Sequence, residues 1–127
     1  MVSSIDLSYI AGILDGEGTI IVQKNRQLVV QITQNDKDLL LFIQNLLGGS
    51  ISGTTRKTGN VQYMLGWCSV NAQAVLRELL NYLHLRKSKA RLGILYQDML
   101  NSRNHNGKYT DDELEAIGMF RESISSA

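Results

Sequence analysis

The segment YIAGILDGEGTI, residues 9–20, runs a short apolar helix into two carboxylates set among glycines, and the rest of the chain is read outward from it. Asp15 and Glu17 fall where that helix should end, beside the negative pole of the backbone dipole, where acids are disfavoured. Acids kept at such a position imply a cation nearby. Gly12 and Gly16 are four apart on one helical face and remove the side chains that would hold a second helix at the usual separation, so two helices can cross closely there. Close crossing would bring their acids together.

The chain has 127 residues, 43% of them hydrophobic, which suits one globular domain able to bury roughly two-thirds of its unfolded surface. The longest apolar run near the N-terminus, residues 9–14, contains Gly12, stops at Asp15 and is far too short for a membrane span. With no basic leader before it, the expectation is a soluble intracellular protein with no membrane partner. The lone Cys68 cannot form an internal disulfide, and its expected role is packing. His84 and His105 are isolated and read as ordinary histidines, and no set of cysteines and histidines has zinc spacing. The formal net charge of +1 hides an asymmetry. Residues 110–127 hold five acids against Arg121, and the remainder carries 12 basic and 7 acidic residues. A basic body with an acidic terminal helix is compatible with nucleic acid.

Ser3 or Ser4 can cap a first helix running through Leu14, with Asp6 in its first turn. From Thr19 the pattern alternates, with Thr19, Ile21, Gln23 and Asn25 on one side and Ile20 and Val22 on the other. After a tight KNRQ turn the period continues, with Leu28, Val30 and Ile32 inward and Gln27, Val29, Gln31 and Thr33 outward. A leucine-rich helix spans residues 36–47 and closes on Gly48. A second hairpin puts Val61, Tyr63, Leu65 and Trp67 on the buried face and Asn60, Gln62 and Met64 on the other, with Arg56 and Lys57 near a Thr-Gly-Asn turn. Ser69 or Asn71 can cap a helix to about Leu83, and the basic segment HLRKSKAR leads into another over residues 87–102. An Asn-Gly turn follows at 106–107, then a Thr110/Glu113 capping box opening a last helix over 111–123. The order α-β-β-α-β-β-α, followed by helices, describes an α+β domain with an antiparallel sheet backed on one face.

The other sheet face carries Gln23, Asn25, Gln27, Gln31, Thr33 and Gln62, joined by some of Ser52, Thr54 and Arg56; it is polar and almost uncharged. Glutamine and asparagine can pair twice with an adenine edge, and a two-stranded ribbon fits the DNA major groove. Composition alone favours a merely solvated sheet face, and a glycine-containing helix end that does no more than dimerise.

IAGILDGEG, residues 10–18, resembles the signature of the LAGLIDADG homing endonucleases, with Ala11, Gly12, Asp15 and Gly18 matching by identity and Gly16 and Glu17 as small departures. The resemblance covers about residues 5–104. ITQND, residues 32–36, looks like the strand end that carries a catalytic glutamine, and YLHLRKSKA, residues 82–90, looks like the segment that carries a catalytic lysine. The resemblance implies that Glu17 and the Gly16 carbonyl bind a divalent metal, that Asp15 braces the helix end, and that Gln34 holds ordered water near the scissile phosphate. It places Arg86 at the basic position, with Lys87 and Lys89 as register alternatives. Asp38 stands where members often carry a second basic residue, with Lys37 beside it.

One motif supplies one helix, so the resemblance implies a homodimer crossing at Ala11, Gly12, Asp15 and Gly16. Two Glu17 carboxylates meeting there would repel unless a divalent ion lay between them, and oxygen ligands with no soft donor select Mg2+, with Mn2+ as a substitute. The implied substrate is a long, nearly palindromic double-stranded DNA site, cut on both strands to leave 3′ overhangs. Ile21, Gln23, Asn25, Gln27, Val29, Gln31, Thr33, Ser52, Thr54, Gln62 and Met64 would face bases, while Lys24, Arg26, Arg56 and Lys57 touch phosphates. The implied setting is a mobile intron or intein, in a prokaryotic cytoplasm or an organelle interior. An intron maturase binding RNA and a non-catalytic DNA-binding regulator of the same fold are the competing readings. The acidic terminal helix is expected to support the domain away from DNA.

Overall fold

The computed structural model describes residues 2–103 and 107–127; His105 and the Asn106 side of the expected turn lie outside them. The first helix, α1 (Ser4–Glu17), starts at Ser3, whose hydroxyl accepts the Asp6 amide, and buries Leu7, Ile10, Ala11 and Leu14. That i, i+3, i+4, i+7 stripe meets the sheet, and each large aliphatic side chain on it contributes about 1.5–3 kcal/mol. The helix runs three residues beyond the expected end at Leu14. Gly12 and Gly16 are accommodated inside it, and Gly18 ends it by donating its N–H to the Leu14 carbonyl. Gly18 has an extended backbone, so its glycine is required by space: a Cβ would lie 2.5 Å from the Leu14 carbonyl oxygen.

Strands β1 (Gly18–Val22) and β2 (Leu28–Gln34), helix α2 (Lys37–Leu47), and strands β3 (Ser50–Thr55) and β4 (Val61–Cys68) follow. The antiparallel sheet has the order β1-β2-β4-β3. Its inner face buries Ile20, Val22, Leu28, Val30, Ile32, Leu65 and Trp67 against the helices, as the two-residue period requires. Val61, at the start of β4, departs from that pattern and is exposed. Helix α2 is capped by the Asp36 carboxylate, which takes the Asp38 and Leu39 amides.

Helix α3 (Ser69–Leu79) begins at Cys68 without a side-chain cap, so neither Ser69 nor Asn71 serves there, and it passes into a 3-10 turn (Leu80–Tyr82) short of Leu83. Helices α4 (Lys87–Asn101) and α5 (Asp111–Ser126) complete the described chain. Helix α5 packs on α4 and β1, covering an edge strand whose free N–H and C=O groups would otherwise template pairing.

Both hairpins turn in the same way. In the first, Gln23 N–H donates to the Gln27 carbonyl and Arg26 N–H to the Gln23 carbonyl; in the second, Arg56 and Gly59 do the same toward Asn60 and Arg56. This is a three-residue loop whose last position needs positive φ. The second hairpin places Gly59 there (φ 87°), whereas the first uses Arg26 (φ 71°), a conformation costing an L side chain about 1–2 kcal/mol.

Two outcomes follow for stability. Gly18→Ala should cost about 1–3 kcal/mol, read as a lower urea midpoint, while Gly12→Ala, with no atom within 4 Å of the added Cβ, should not destabilise the single chain. The capping box of α5 is complete, and the Thr110 backbone bond, followed by the Arg103 bond, lowers the Glu113 carboxyl from 4.5 to about 2. A depressed folded value means that this support is present above the unfolded value and is lost as pH falls through the folded one. Helical circular dichroism from α5 should therefore decline between pH 4.5 and about 2, and Glu113→Gln should remove that transition.

Candidate nucleic-acid interface and metal centre

The two acids that end α1 have different surroundings. One Asp15 carboxylate oxygen accepts the His84 amide at 2.8 Å and the other accepts the Arg86 amide at 3.0 Å. Asp15 thus pins the segment before α4 to the end of α1, consistent with the bracing role implied for it. The Arg86 guanidinium turns back and donates from Nε to the Leu14 carbonyl at 3.0 Å. No basic residue of α1 itself lies in its last turn, so a cation from about seventy residues away complements the negative end of the dipole. The cation implied by the misplaced acids is at least in part Arg86.

Glu17 is exposed at the last position of α1, and its carboxylate makes no hydrogen bond or ion pair among the described residues. Gly18 pairs with Ile32, so Glu17, the residue before Gly18, and Gln34, two residues past Ile32, lie at the same end of the β1–β2 pair. Gln34, the last residue of β2, accepts its neighbour Asn35's amide at 2.9 Å and is paired with Tyr63. Lys37 lies 5.6 Å over the Tyr63 ring. Glu17 and Arg86 are both at the C-terminus of α1, Arg86 through its bond to Leu14, and Gln34 is at the near end of β2; the three side chains make no hydrogen bond to one another among the described residues. Lys87 is the first residue of α4 and is partly exposed, whereas Lys89 reaches the other way, to the Ser125 carbonyl at 3.5 Å.

No group of three or more His, Cys, Asp or Glu side chains gathers for a metal among the described residues. One chain offers the Glu17 carboxylate and the Gly16 carbonyl, hard oxygen donors of the right chemistry for Mg2+ but far fewer than the six it takes. The donor set suits such an ion chemically but does not complete its coordination. The glycine face of α1 is open: Gly12 and Gly16 are exposed, in line with Ile5 (80% exposed) and Tyr9 (54%), whose ring meets Phe42 edge-on. Ala11, expected at that crossing, is instead fully buried in the chain's own core, one position round the helix from Gly12.

The outer sheet face is ordered by register. Ile21, Val29 and Cys68 form one row; Thr19, Gln31, Gly66 and Ser50 the next; then Thr33, Met64 and Ser52; then Gln62 and Thr54. Gly66 leaves a hollow of about 260 Å³ there, lined in part by Gln23, Gln27, Gln31, Ser52 and Met64. These rows contain no charged side chain; Lys24, Asn25, Arg56 and Lys57 are exposed at the hairpin turns. Three expectations are corrected. Val29 is on this face, but its row neighbours leave it only 6% exposed, too little for a substantial base contact. Arg26 folds back over the Tyr109 ring at 4.9 Å instead of pointing away from the turn as a free cation. Cys68 is exposed on the face and is not a packing residue. Sequence reasoning missed it on this face, along with Ser50, although the two-residue alternation carried to the strand ends would have found both; Thr19, which alternation does place on this side, was left out of the base-facing set. Arg121 of α5 lines a cleft of about 270 Å³ with Ile21 and Gln23, so the acidic helix is not remote from this face.

A four-stranded antiparallel sheet with an uncharged polar face, joined to an acid-ended helix with an open glycine stripe, defines a narrow class of domain. Residues 4–116 match the profile described as LAGLIDADG-like domain, and the chain belongs to that family. It is 27% identical over 104 residues to the intron-encoded DNA endonuclease ai2b of Dictyostelium discoideum, spanning 74% of this chain and only 38% of that relative. Among solved structures, the homing endonuclease I-CvuI in complex with its target matches with a TM-score of 0.77 at 20% identity, over 96% of this chain and 81% of its own. I-SmaMI bound to uncleaved DNA target matches with a TM-score of 0.74 at 22% identity, over 95% of this chain and 45% of its own. I-TnaI matches with a TM-score of 0.67 at 16% identity, over 94% of this chain and 93% of its own. At these identities the structural matches establish the fold.

Removing the Asp15 carboxylate would strand two amides. Asp15→Ala should cost about 1–3 kcal/mol, with Asp15→Asn intermediate because one oxygen acceptor survives; urea unfolding of the three proteins measures the order.

Proposed function

We propose that this chain is a site-specific homing endonuclease that works as a homodimer and hydrolyses both strands of a long, nearly palindromic duplex in the presence of Mg2+ or Mn2+, leaving 3′ overhangs. The observation that carries the reading is an exposed Glu17 closing α1, with Arg86 bonded to the Leu14 carbonyl at the same helix end, beside a sheet whose outer rows are polar and uncharged. The relatives' names point the same way: ai2b is an intron-encoded DNA endonuclease, and I-SmaMI was solved on DNA with calcium ions. A mobile-intron setting, in a prokaryote or an organelle, goes with that reading.

The whole chain serves as one endonuclease domain. Two copies cross along Gly12 and Gly16, with Ile5 and Tyr9 covered by the partner, which completes the set of oxygen donors. Glu17 and the Gly16 carbonyl hold the divalent ion, which when bound supplies Lewis-acid activation of water and charge neutralisation. Gln34 hydrogen-bonds water beside the scissile phosphate. Arg86, fixed by its bond to Leu14 and always charged, stabilises negative charge on the phosphate, with Lys87 next to it. Asp15 positions Arg86 and does no chemistry. Ile21, Gln23, Asn25, Gln27, Gln31, Thr33, Ser52, Thr54, Gln62 and Met64 meet base edges in the major groove, while Lys24, Arg56 and Lys57 hold phosphates.

Incubation with a randomised duplex library and Mg2+ should give double-strand cuts that disappear in Glu17→Gln while binding persists. Binding without cutting by the unaltered protein would instead support a regulator, or a maturase if intron RNA competes better than duplex. Gly12→Leu should leave the chain folded but convert a sedimenting dimer to a monomer; a monomeric unaltered protein on DNA would sink the dimer.

A further inference from the structure

The first hairpin carries Gln23, Lys24, Asn25 and Gln27, yet its turn depends on an arginine held at positive φ where the second hairpin has glycine. Two groups hold that arginine from outside the hairpin. The Tyr96 hydroxyl, on a fully buried residue of α4, donates to the Arg26 carbonyl at 2.7 Å. The Arg26 guanidinium lies 4.9 Å from the Tyr109 ring centroid, and Arg103 lies 3.8 Å from the same ring. Arg103 then pairs with Glu113 at 2.8 Å, and Glu113 closes the capping box on Thr110, the residue after Tyr109. The Tyr96 ring also meets Phe120 of α5 edge-on. The turn of one hairpin is thereby wired to the start of the last helix, while the equivalent Arg56–Gly59 turn is closed by its own backbone bonds and a glycine.

We infer that Tyr96 and Tyr109 are positioning residues that fix the tip of the β1–β2 hairpin, and so set how sharply the base pairs beneath that tip are discriminated. This rests on the reading of the outer sheet face as the DNA-contacting surface. The Tyr96 hydroxyl is suited to a permanent donor role, since burial, with Tyr109 adding to it, pushes its ionisation up to about 12. The C-terminal segment is then part of the reading apparatus, although it need not touch DNA itself. A covered ring and a buried hydroxyl restrict the tip in the free protein, so the ordering is present before any duplex arrives and is not drawn from binding energy.

Two measurements test this, and they fail separately. In the free protein, hydrogen exchange at the Gln23 and Arg26 amides should accelerate on the order of tenfold in Tyr96→Phe and Tyr109→Ala. Exchange at Arg56 and Gly59, which make the same turn bonds in the other hairpin, should stay unchanged; equal acceleration in both hairpins, or none, overturns the brace. In selections from a randomised duplex library, the positions that lose preference in Gln23→Ala mark the base pairs under the tip. Tyr109→Ala should flatten preference at those positions by about fivefold or more and spare those under β3–β4, with Tyr109→Phe restoring it. Uniform loss at every position overturns the specificity role. A wild-type protein that selects no duplex overturns the DNA reading and this role with it, while the exchange contrast still decides whether the brace exists.

Discussion

The Asp15 carboxylate, taking the His84 and Arg86 amides on its two oxygens, is the contact on which the arrangement of this domain turns. It joins the end of the first helix to the entry of α4 across most of the sequence, and it does so at the point where a helix dipole is least welcoming to an acid. The cost is offset by converting orphan amides and a carboxylate into charge-assisted bonds. The same register delivers the Arg86 guanidinium onto the Leu14 carbonyl. Glu17, two residues on, is left exposed. A bound acid and an exposed one thus arise from neighbouring positions, because one meets the incoming backbone and the other passes the end of the helix.

The remaining architecture serves to present two surfaces. The apolar stripe of α1 is consumed by the sheet, so its opposite face, with Gly12 and Gly16, is free for something outside the chain. The sheet buries one face under helices and gives the other rows of Gln, Thr, Ser and Met side chains with a glycine hollow between them. Helix α5 closes the β1 edge, while the opposite edge, β3, is mostly serine, glycine and threonine, a sequence with little apolar surface to recruit another strand.

Much of this was legible because it is local. Alternation from Thr19 and from Leu28 fixed which residues share a face, Gly48 and the Thr110/Glu113 pair marked helix ends, and the nine-residue motif pointed to the family that the profile match shows. The parts that were not legible depend on what covers a residue. Alternation puts Val29 outward but is silent about Ile21 and Cys68 closing over it. Arg26 looks like any turn cation until Tyr109, more than eighty residues later, is placed under it. Ala11 and Gly12 are adjacent in the motif, yet a rotation of one residue about the helix separates core from surface. The end of α1 lies past the expected Leu14 because Gly16 stays helical and the steric demand that stops the helix sits at Gly18.

The segregation of charge on the outer face has a consequence for how ionic strength would act on a bound duplex. Neutral side chains fill the rows, and the exposed cations Lys24, Arg56 and Lys57 lie at the two turns. Displacing counterions from a polyanion is work done by cations alone, so on this face the steep salt dependence of affinity would come from the turns. Choice between one base pair and another, carried by amide and hydroxyl hydrogen bonds, would change little over the same range. Affinity and selectivity would then be tuned by different parts of one sheet, and raising the salt would loosen the grip without blurring the reading.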